Sequence, residues 1–257
     1  MPAASTAANT VADRPRLERW IRFGVKPLVF GAALLPAASL VAGVFEWQGF
    51  ALGANPIAAI LHTCGRWTLN FILLTLTVAP IAQLTGRSEW LRLRRMLGLF
   101  AFTYALLHFL TYLVLDQSLD ARAVMQDIVK RPYITIGFTA LLLLVPLAAT
   151  STRRMMRRLG RRWQQLHRLV YVIAVLGVWH FYWEVKADVR QPLLYAGAVA
   201  VLLGFRWWKR RGSRSATLRA GVGRYARAFC SARAASQIAA STSGPPTQVA
   251  SGIASPK

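Results

Sequence analysis

Long apolar runs separated by short, arginine-bearing stretches set the pattern of this chain. The first runs from Gly24 to Val44, behind a basic lead that holds Arg14, Arg16, Arg19, Arg22 and Lys26. The second extends from Pro56 to Gln83 and is interrupted by Arg66. The third covers Leu97 to Leu115, the fourth Pro132 to Ala149, the fifth Leu166 to Trp183 and the sixth Pro192 to Trp208. Each approaches or exceeds the roughly 18 apolar residues that let a helix cross a bilayer. The pattern predicts an all-α, polytopic membrane bundle of six transmembrane helices. Ala42 and Gly43 after the first run also suit a cleaved leader, but the run is long for one and like runs follow it, which favours a retained helix. Pro36 is tolerated there when neighbours re-satisfy the carbonyl it frees.

Positive charge in the short loops orients the bundle. Arg87, Arg92, Arg94 and Arg95 lie between the second and third runs, and Arg153, Arg154, Arg157, Arg158, Arg161 and Arg162 between the fourth and fifth. These loops face the cytoplasm. The alternate loops are balanced, with Glu46 in one, Asp116, Asp120, Arg122, Asp127, Lys130 and Arg131 in the next, and Glu184, Lys186, Asp188 and Arg190 in the last. They face outward, so both termini are inside. Trp47, Tyr133, Trp163, Tyr182, Trp183, Trp207 and Trp208 sit at run ends, as an interfacial aromatic belt does. The expected division is a cytoplasmic lead over 1–23, a six-helix domain over 24–208 and a basic cytoplasmic tail over 209–257. From about Gly212 the tail is rich in Ala, Ser and Gly and has no acidic residue, the composition of a disordered segment that touches anionic lipid.

Composition narrows the function classes. The chain is 55% hydrophobic yet carries a net charge of +23, so two characters must be kept apart in space. A soluble nucleic-acid binder concentrates its cations on a polar domain. Here they flank apolar runs, with no zinc, helix-turn-helix or RNA-binding signature, which argues against nucleic acid. Two cysteines, Cys64 and Cys230, build neither a disulfide framework nor a cysteine metal site. No Gly-x-Gly-x-x-Gly opens a soluble βαβ unit, so the chain does not bind a dinucleotide by that route.

All four histidines, His62, His108, His167 and His180, fall in or beside predicted spans. Ionisable groups in a bilayer are functional candidates, while a lone histidine there often serves a helix-to-helix hydrogen bond. His108 and His180 lie on helices of the same direction, at similar depths beyond the midplane towards the outer face. Two imidazoles so placed can grip one planar macrocycle from both sides, which is axial haem ligation. His167 starts the fifth helix, thirteen residues before His180 or roughly 20 Å along the axis. It suits a second redox centre or, equally, an interfacial contact beside Arg168 with lipid phosphate. A straight helix turns the two off a common face. His62 and Arg66 share a face near the outer end of the second helix; the pair suits a spare ligand, a haem-propionate contact or an interfacial histidine without further role.

Four segments carry a resemblance: Arg92 to Gly98, Tyr104 through His108 to Tyr112, Arg131 to Ile134, and Trp163 through His167 to Tyr171, continued by His180-Phe-Tyr-Trp183. Over about Arg16 to Arg210 the chain resembles the haem-binding membrane subunits of bacterial protein-methionine-sulfoxide reductases, within the ferric-reductase-like transmembrane superfamily. That resemblance implies haem b, with histidine pairs thirteen or fourteen residues apart on two helices. His167 and His180 keep the pattern. The third helix keeps only His108, and Arg95 and Arg94 stand where its partner is expected. An outer bis-histidine site through His108 and His180 follows, and an inner centre for which His167 lacks a histidine partner.

The resemblance further implies an electron-transfer component rather than a complete enzyme. Electrons enter from respiratory quinol or a cytoplasmic flavin reductase and leave to a periplasmic molybdopterin-dependent methionine-sulfoxide reductase that repairs oxidised proteins. An inner FMN, its phosphate held by Arg94, Arg95 and the Arg153 to Arg162 cluster, fits that route; topology and anionic lipid explain the same arginines. Other readings are a quinone-linked cytochrome b serving another periplasmic reductase or a hydrogenase, and a transporter using the histidines for metal or protons. Transport predicts intramembrane carboxylates and repeats, and neither is evident.

Overall fold

Helix starts in this chain are written in its caps and prolines. Asn55 accepts from the Ala58 N–H at 3.1 Å and Pro56 supplies a preset first turn. Asp120 accepts from the Arg122 and Ala123 N–H groups at 2.8 and 3.1 Å. Pro132 and Thr152 begin two further helices in the same ways. A computed structural model describes residues 19–47, 52–185, 188–209 and 211. The lead before Arg19 and the tail beyond Arg211 lie outside the described residues.

In chain order the helices are α1 (Lys26–Val44), led by a wide turn at Ile21–Val25; α2 (Pro56–Leu84); and α3 (Leu93–Thr111), with a tight turn Ser88–Arg92 before it and a wide one, Tyr112–Asp116, after it. Then follow α4 (Ala121–Lys130), α5 (Pro132–Ala149), α6 (Arg153–Leu159), α7 (Arg161–Leu166) and α8 (Leu169–Glu184). Residues 190–209 are also helical. The described residues contain no strand, so the all-α expectation holds.

Five helices are long and apolar enough to cross a membrane: Phe23–Val44, Pro56–Leu84, Ser88–Asp116, Pro132–Ala149 and Arg161–Glu184. They correspond to the first five predicted spans. The sixth, Pro192 to Trp208, is helical throughout but is not among these five; Gln191, Pro192, Arg206 and two tryptophans dilute its apolar stretch. The third and fifth begin earlier than hydropathy suggests, because arginines extend a helix readily while lowering its apparent apolarity. The fifth is also broken. His167 and Arg168 form a turn between α7 and α8, so the straight-helix geometry expected between His167 and His180 does not apply.

The core lies where α2, α3, α5 and α8 meet, with Leu76, Ala101, Ile173 and Ala174 fully enclosed. Phe71 stacks on Phe100 at 5.5 Å and meets Tyr104 at 5.3 Å. α1 joins this core at its proline. Pro36 disturbs the local ladder, and the Tyr104 hydroxyl inserts there, donating to Ala33 O at 2.7 Å and accepting from the Ala37 N–H at 3.1 Å. The outer faces of the spans remain apolar, with Leu28, Leu35, Val41 and Leu142 all exposed. That is the surface of a protein solvated by lipid rather than water. Threonine hydroxyls within the spans, including Thr68, Thr75 and Thr77, bond the carbonyl four residues earlier and so leave no donor bare.

Candidate functional site

Histidines 108 and 180 face each other across the centre of the bundle. α3 carries one and α8 the other, and their ring centroids are 6.1 Å apart with planes at 82°. Each Nδ1 is occupied by a backbone carbonyl of the adjacent helix: His108 bonds Leu61 O on α2 at 2.8 Å, and His180 bonds Tyr133 O on α5 at 2.7 Å. A carbonyl can only accept, so Nδ1 bears the proton and Nε2 is the free, basic nitrogen. Metal-bound histidines are oriented in this way by the partner of their other nitrogen.

The spacing can be tested against a ligand. Two imidazoles that flank one metal ion, each about 2 Å from it through nitrogen, put their centroids about 6 Å apart. The observed 6.1 Å fits. Among the described residues no three His, Cys, Asp or Glu side chains converge into a metal cage. Two imidazoles at this spacing, each with its Nδ1 engaged and without further protein ligands, suit a macrocyclic metal, and the residues present fit a haem.

A cavity opens around the pair. Its walls are Leu69, Ile72, Leu144 and Ile173, and aromatic rings of Phe109 and Phe138 approach at 5.7 Å. One end carries charge: Arg66, Arg131, His62 and Glu184 all line it. His62 Nδ1 lies 3.5 Å from Glu184 Oε1, a contact that gives His62 a side-chain partner. α4 lies at this end, with Ile128 facing the cavity. Asp127 accepts there from Tyr112 and Gln117 and pairs with Arg131. The Arg131 guanidinium, outside the spans, is held yet more firmly protonated by the Tyr133 hydroxyl and the Asp127 carboxylate.

The other predicted residues gather at the opposite, arginine-rich end. His167 stacks on Trp163 at 4.0 Å, and its Nε2 is 3.2 Å from the Thr150 hydroxyl. Trp163 donates to Thr150 O at 3.0 Å, which ties the α7 turn to the end of α5. Arg94 is close enough to His167 for their charges to interact. Its Nε, with Glu89 Oε2 and Trp90 Nε1, is buried without a hydrogen-bond partner among the described residues. Arg95 is exposed. The structure therefore brings His108, His180 and Arg66 to one site and His167 and Arg94 to another.

Sequence reading missed the acceptors Leu61 and Tyr133 and the partner Glu184. A signal for the first two existed. Moving Leu61 and His108 by 72 positions gives Tyr133 and His180, and both bonds span 47 residues. The α2–α3 and α5–α8 pairs thus place the same contact at a common offset, a repeat in the same sense along the chain that the sequence reading had not found. The same shift carries Arg95 onto His167, the position where the halves differ.

Comparison with known proteins gives the family. Residues 64–178 match the family described as the ferric reductase like transmembrane component. The chain is similar to the protein-methionine-sulfoxide reductase heme-binding subunit MsrQ of Xanthomonas euvesicatoria pv. vesicatoria, 52% identical over 197 residues, which cover 76% of this chain and 90% of the relative. The MsrQ of Xanthomonas axonopodis pv. citri is 51% identical over 199 residues, 76% of this chain and 90% of that one. That of Bordetella pertussis is 45% identical over 220 residues, 83% and 99% of the two chains. No solved structure matches the chain.

Proposed function

The chain belongs to the haem-binding subunits of bacterial protein-methionine-sulfoxide reductases, multi-pass proteins of the inner membrane, and on that premise we propose that it carries electrons through a haem b held by His108 and His180. Electrons from quinol or a cytoplasmic flavin reductase reach a periplasmic molybdopterin-dependent methionine-sulfoxide reductase by this route. The observation that carries the reading is the 6.1 Å separation of two imidazoles whose Nδ1 atoms are already engaged.

Bound there, a haem supplies a one-electron couple. The chain does the rest. Leu61 and Tyr133 carbonyls fix each imidazole's tautomer and orientation and raise its basicity as a ligand. Leu69, Ile72 and Leu144 keep water from the centre. Arg66 and Arg131, at the charged end, offer cations to carboxylates such as propionates. In this reading that end is periplasmic and the arginine-rich end cytoplasmic, with helix 190–209 as a sixth span and both termini inside, the haem domain covering 24–208.

A hydrocarbon core about 30 Å thick is wide for a single centre near one face, so a second carrier or a diffusible quinol is needed on the other. His167, Arg94 and Arg95 are the residues we assign to that inner centre. The unpartnered Arg94 Nε supports a missing anionic or polar ligand there, for which an FMN phosphate is one chemistry.

The test is the visible spectrum of detergent-purified protein, oxidised and dithionite-reduced, with acid extraction for flavin. Sharp reduced bands of a six-coordinate haem b are expected, lost in both His108→Ala and His180→Ala. Either variant keeping the full low-spin spectrum would overturn the ligand pair. Flavin in the extract, lost in an Arg94→Ala, Arg95→Ala variant with the outer haem intact, is expected for the inner assignment; flavin content unchanged by that variant would overturn it.

A further inference from the structure

Each ligand histidine lies against a glycine of the neighbouring helix. A Cβ built on Gly65 would stand 3.2 Å from both Cε1 and Nδ1 of His108; one on Gly137 would stand 2.8 Å from the same two atoms of His180. Each glycine follows its acceptor carbonyl by four residues, so Leu61–Gly65 and Tyr133–Gly137 are equivalent pairs under the 72-residue shift.

The reason lies in helix geometry. Leu61 O already accepts the helical bond from the Gly65 N–H, and a second donor must reach its remaining lone pair from the side. Side chains lean towards their helix's N-terminus, so a side chain at position 65 would lie over the turn that carries this carbonyl. Only glycine leaves the carbonyl open to an imidazole ring. The same holds for Gly137 and Tyr133 O. The ring cannot simply turn away, because its Nδ1 bond and its Nε2 direction are the two constraints that make it a ligand.

We propose that Gly65 and Gly137 are positioning residues for the axial histidines, their missing side chains opening Leu61 O and Tyr133 O to the imidazole Nδ1 and so setting ring orientation and ligand strength. This rests on the haem reading above. Substitution by alanine displaces a ring rather than a flexible side-chain tip. Displacement weakens or breaks the Nδ1–H bond, lowers the imidazole's basicity and alters the potential of the metal it holds.

Two further glycines serve as references in the same haem-loaded, full-length protein. Gly98, on α3 itself, and Gly31 meet nothing within 4 Å of a built Cβ. The experiment compares Gly65→Ala, Gly137→Ala, Gly31→Ala and Gly98→Ala by low-spin ferric electron paramagnetic resonance and by redox titration of the haem. Gly137→Ala is expected to shift the low-spin signal and the midpoint potential, with part of the haem turning high-spin or lost. Gly65→Ala, whose contact is looser, is expected to move both in the same direction by less. The other two are expected to keep the parent signal and potential. Parent-like signal and potential in Gly137→Ala overturn the proposal. Should that variant not accumulate, Gly65→Ala decides alone, and its parent-like values overturn the proposal equally. A parent protein without low-spin haem would overturn the haem reading itself, before any glycine is changed.

Discussion

Asp127→Asn should loosen helix α4 from the mouth of the cavity without touching a ligand. Asp127 Oδ2 accepts from the Tyr112 hydroxyl at 3.1 Å and from the Gln117 amide at 3.2 Å, while Oδ1 lies 3.2 Å from Arg131 Nε. Asparagine keeps the volume but turns one oxygen into a donor, so one side of the hub must face N–H against a donor. A hydrogen bond to a charged group contributes about 1.5–3 kcal/mol. The Arg131 side chain is 54% exposed, which limits its share to less than about 1 kcal/mol. Because the hydroxyl and amide retain water as a partial substitute, the expected net loss is about 2 kcal/mol, or roughly a 30-fold rise in local opening. Amide hydrogen exchange over Ala121–Lys130 reads this directly, with α3 and α5 as references in the same sample. Exchange over α4 should quicken about 30-fold and that of α3 should not change. Rates over α4 within about threefold of the parent would refute the view that this carboxylate anchors the helix.

Other perturbations test the packing around the site. Tyr104→Phe removes the hydroxyl lodged at Pro36 and should cost about 1 kcal/mol, read as a lower melting temperature in detergent; an unchanged value would mean that Ala37 closes directly onto Ala33. The Asn70 to Tyr195 bond, 2.7 Å between α2 and helix 190–209, should show a coupling of about 0.6 kcal/mol and no more than about 1.7 in a double-mutant cycle. Cys64, 2% exposed, should resist a membrane-permeant maleimide in a Cys230→Ser background until the protein unfolds; rapid labelling of the native protein would contradict its packing.

Five of the spans and the matched depth of His108 and His180 were legible because both follow from counting: apolar length for one, residues per turn for the other. What lay beyond counting was of two kinds. Leu61 and Tyr133 act through their carbonyls, which every residue has, so side-chain identity carries no trace of the role. Glu184 meets His62 through tertiary packing, and an acidic residue at a span end looks the same whether paired or solvated. His167 shows a third limit. Two polar residues near the inner end of a span look the same whether they continue the helix or turn, so the turn at His167–Arg168 left no distinct mark, and the stacking of His167 on Trp163 depends on that turn. Arg94 and Arg95 are adjacent and alike in sequence, yet one is half-buried beside His167 and the other exposed.

The repeat of 72 residues bears on how the protein is made. α2 and α3 leave the ribosome as one hairpin, α5 and α8 belong to the next, and each hairpin owns one imidazole together with the carbonyl that aims it. Neither hairpin can grip a metal between two histidines by itself. On the proposed ligand assignment, loading waits until synthesis has passed Glu184, and a molecule captured then cross-braces the two halves. Binding only the completed form, it would stabilise that form by mass action, so a shortage of the prosthetic group during growth should show as degradation of the newly inserted chain.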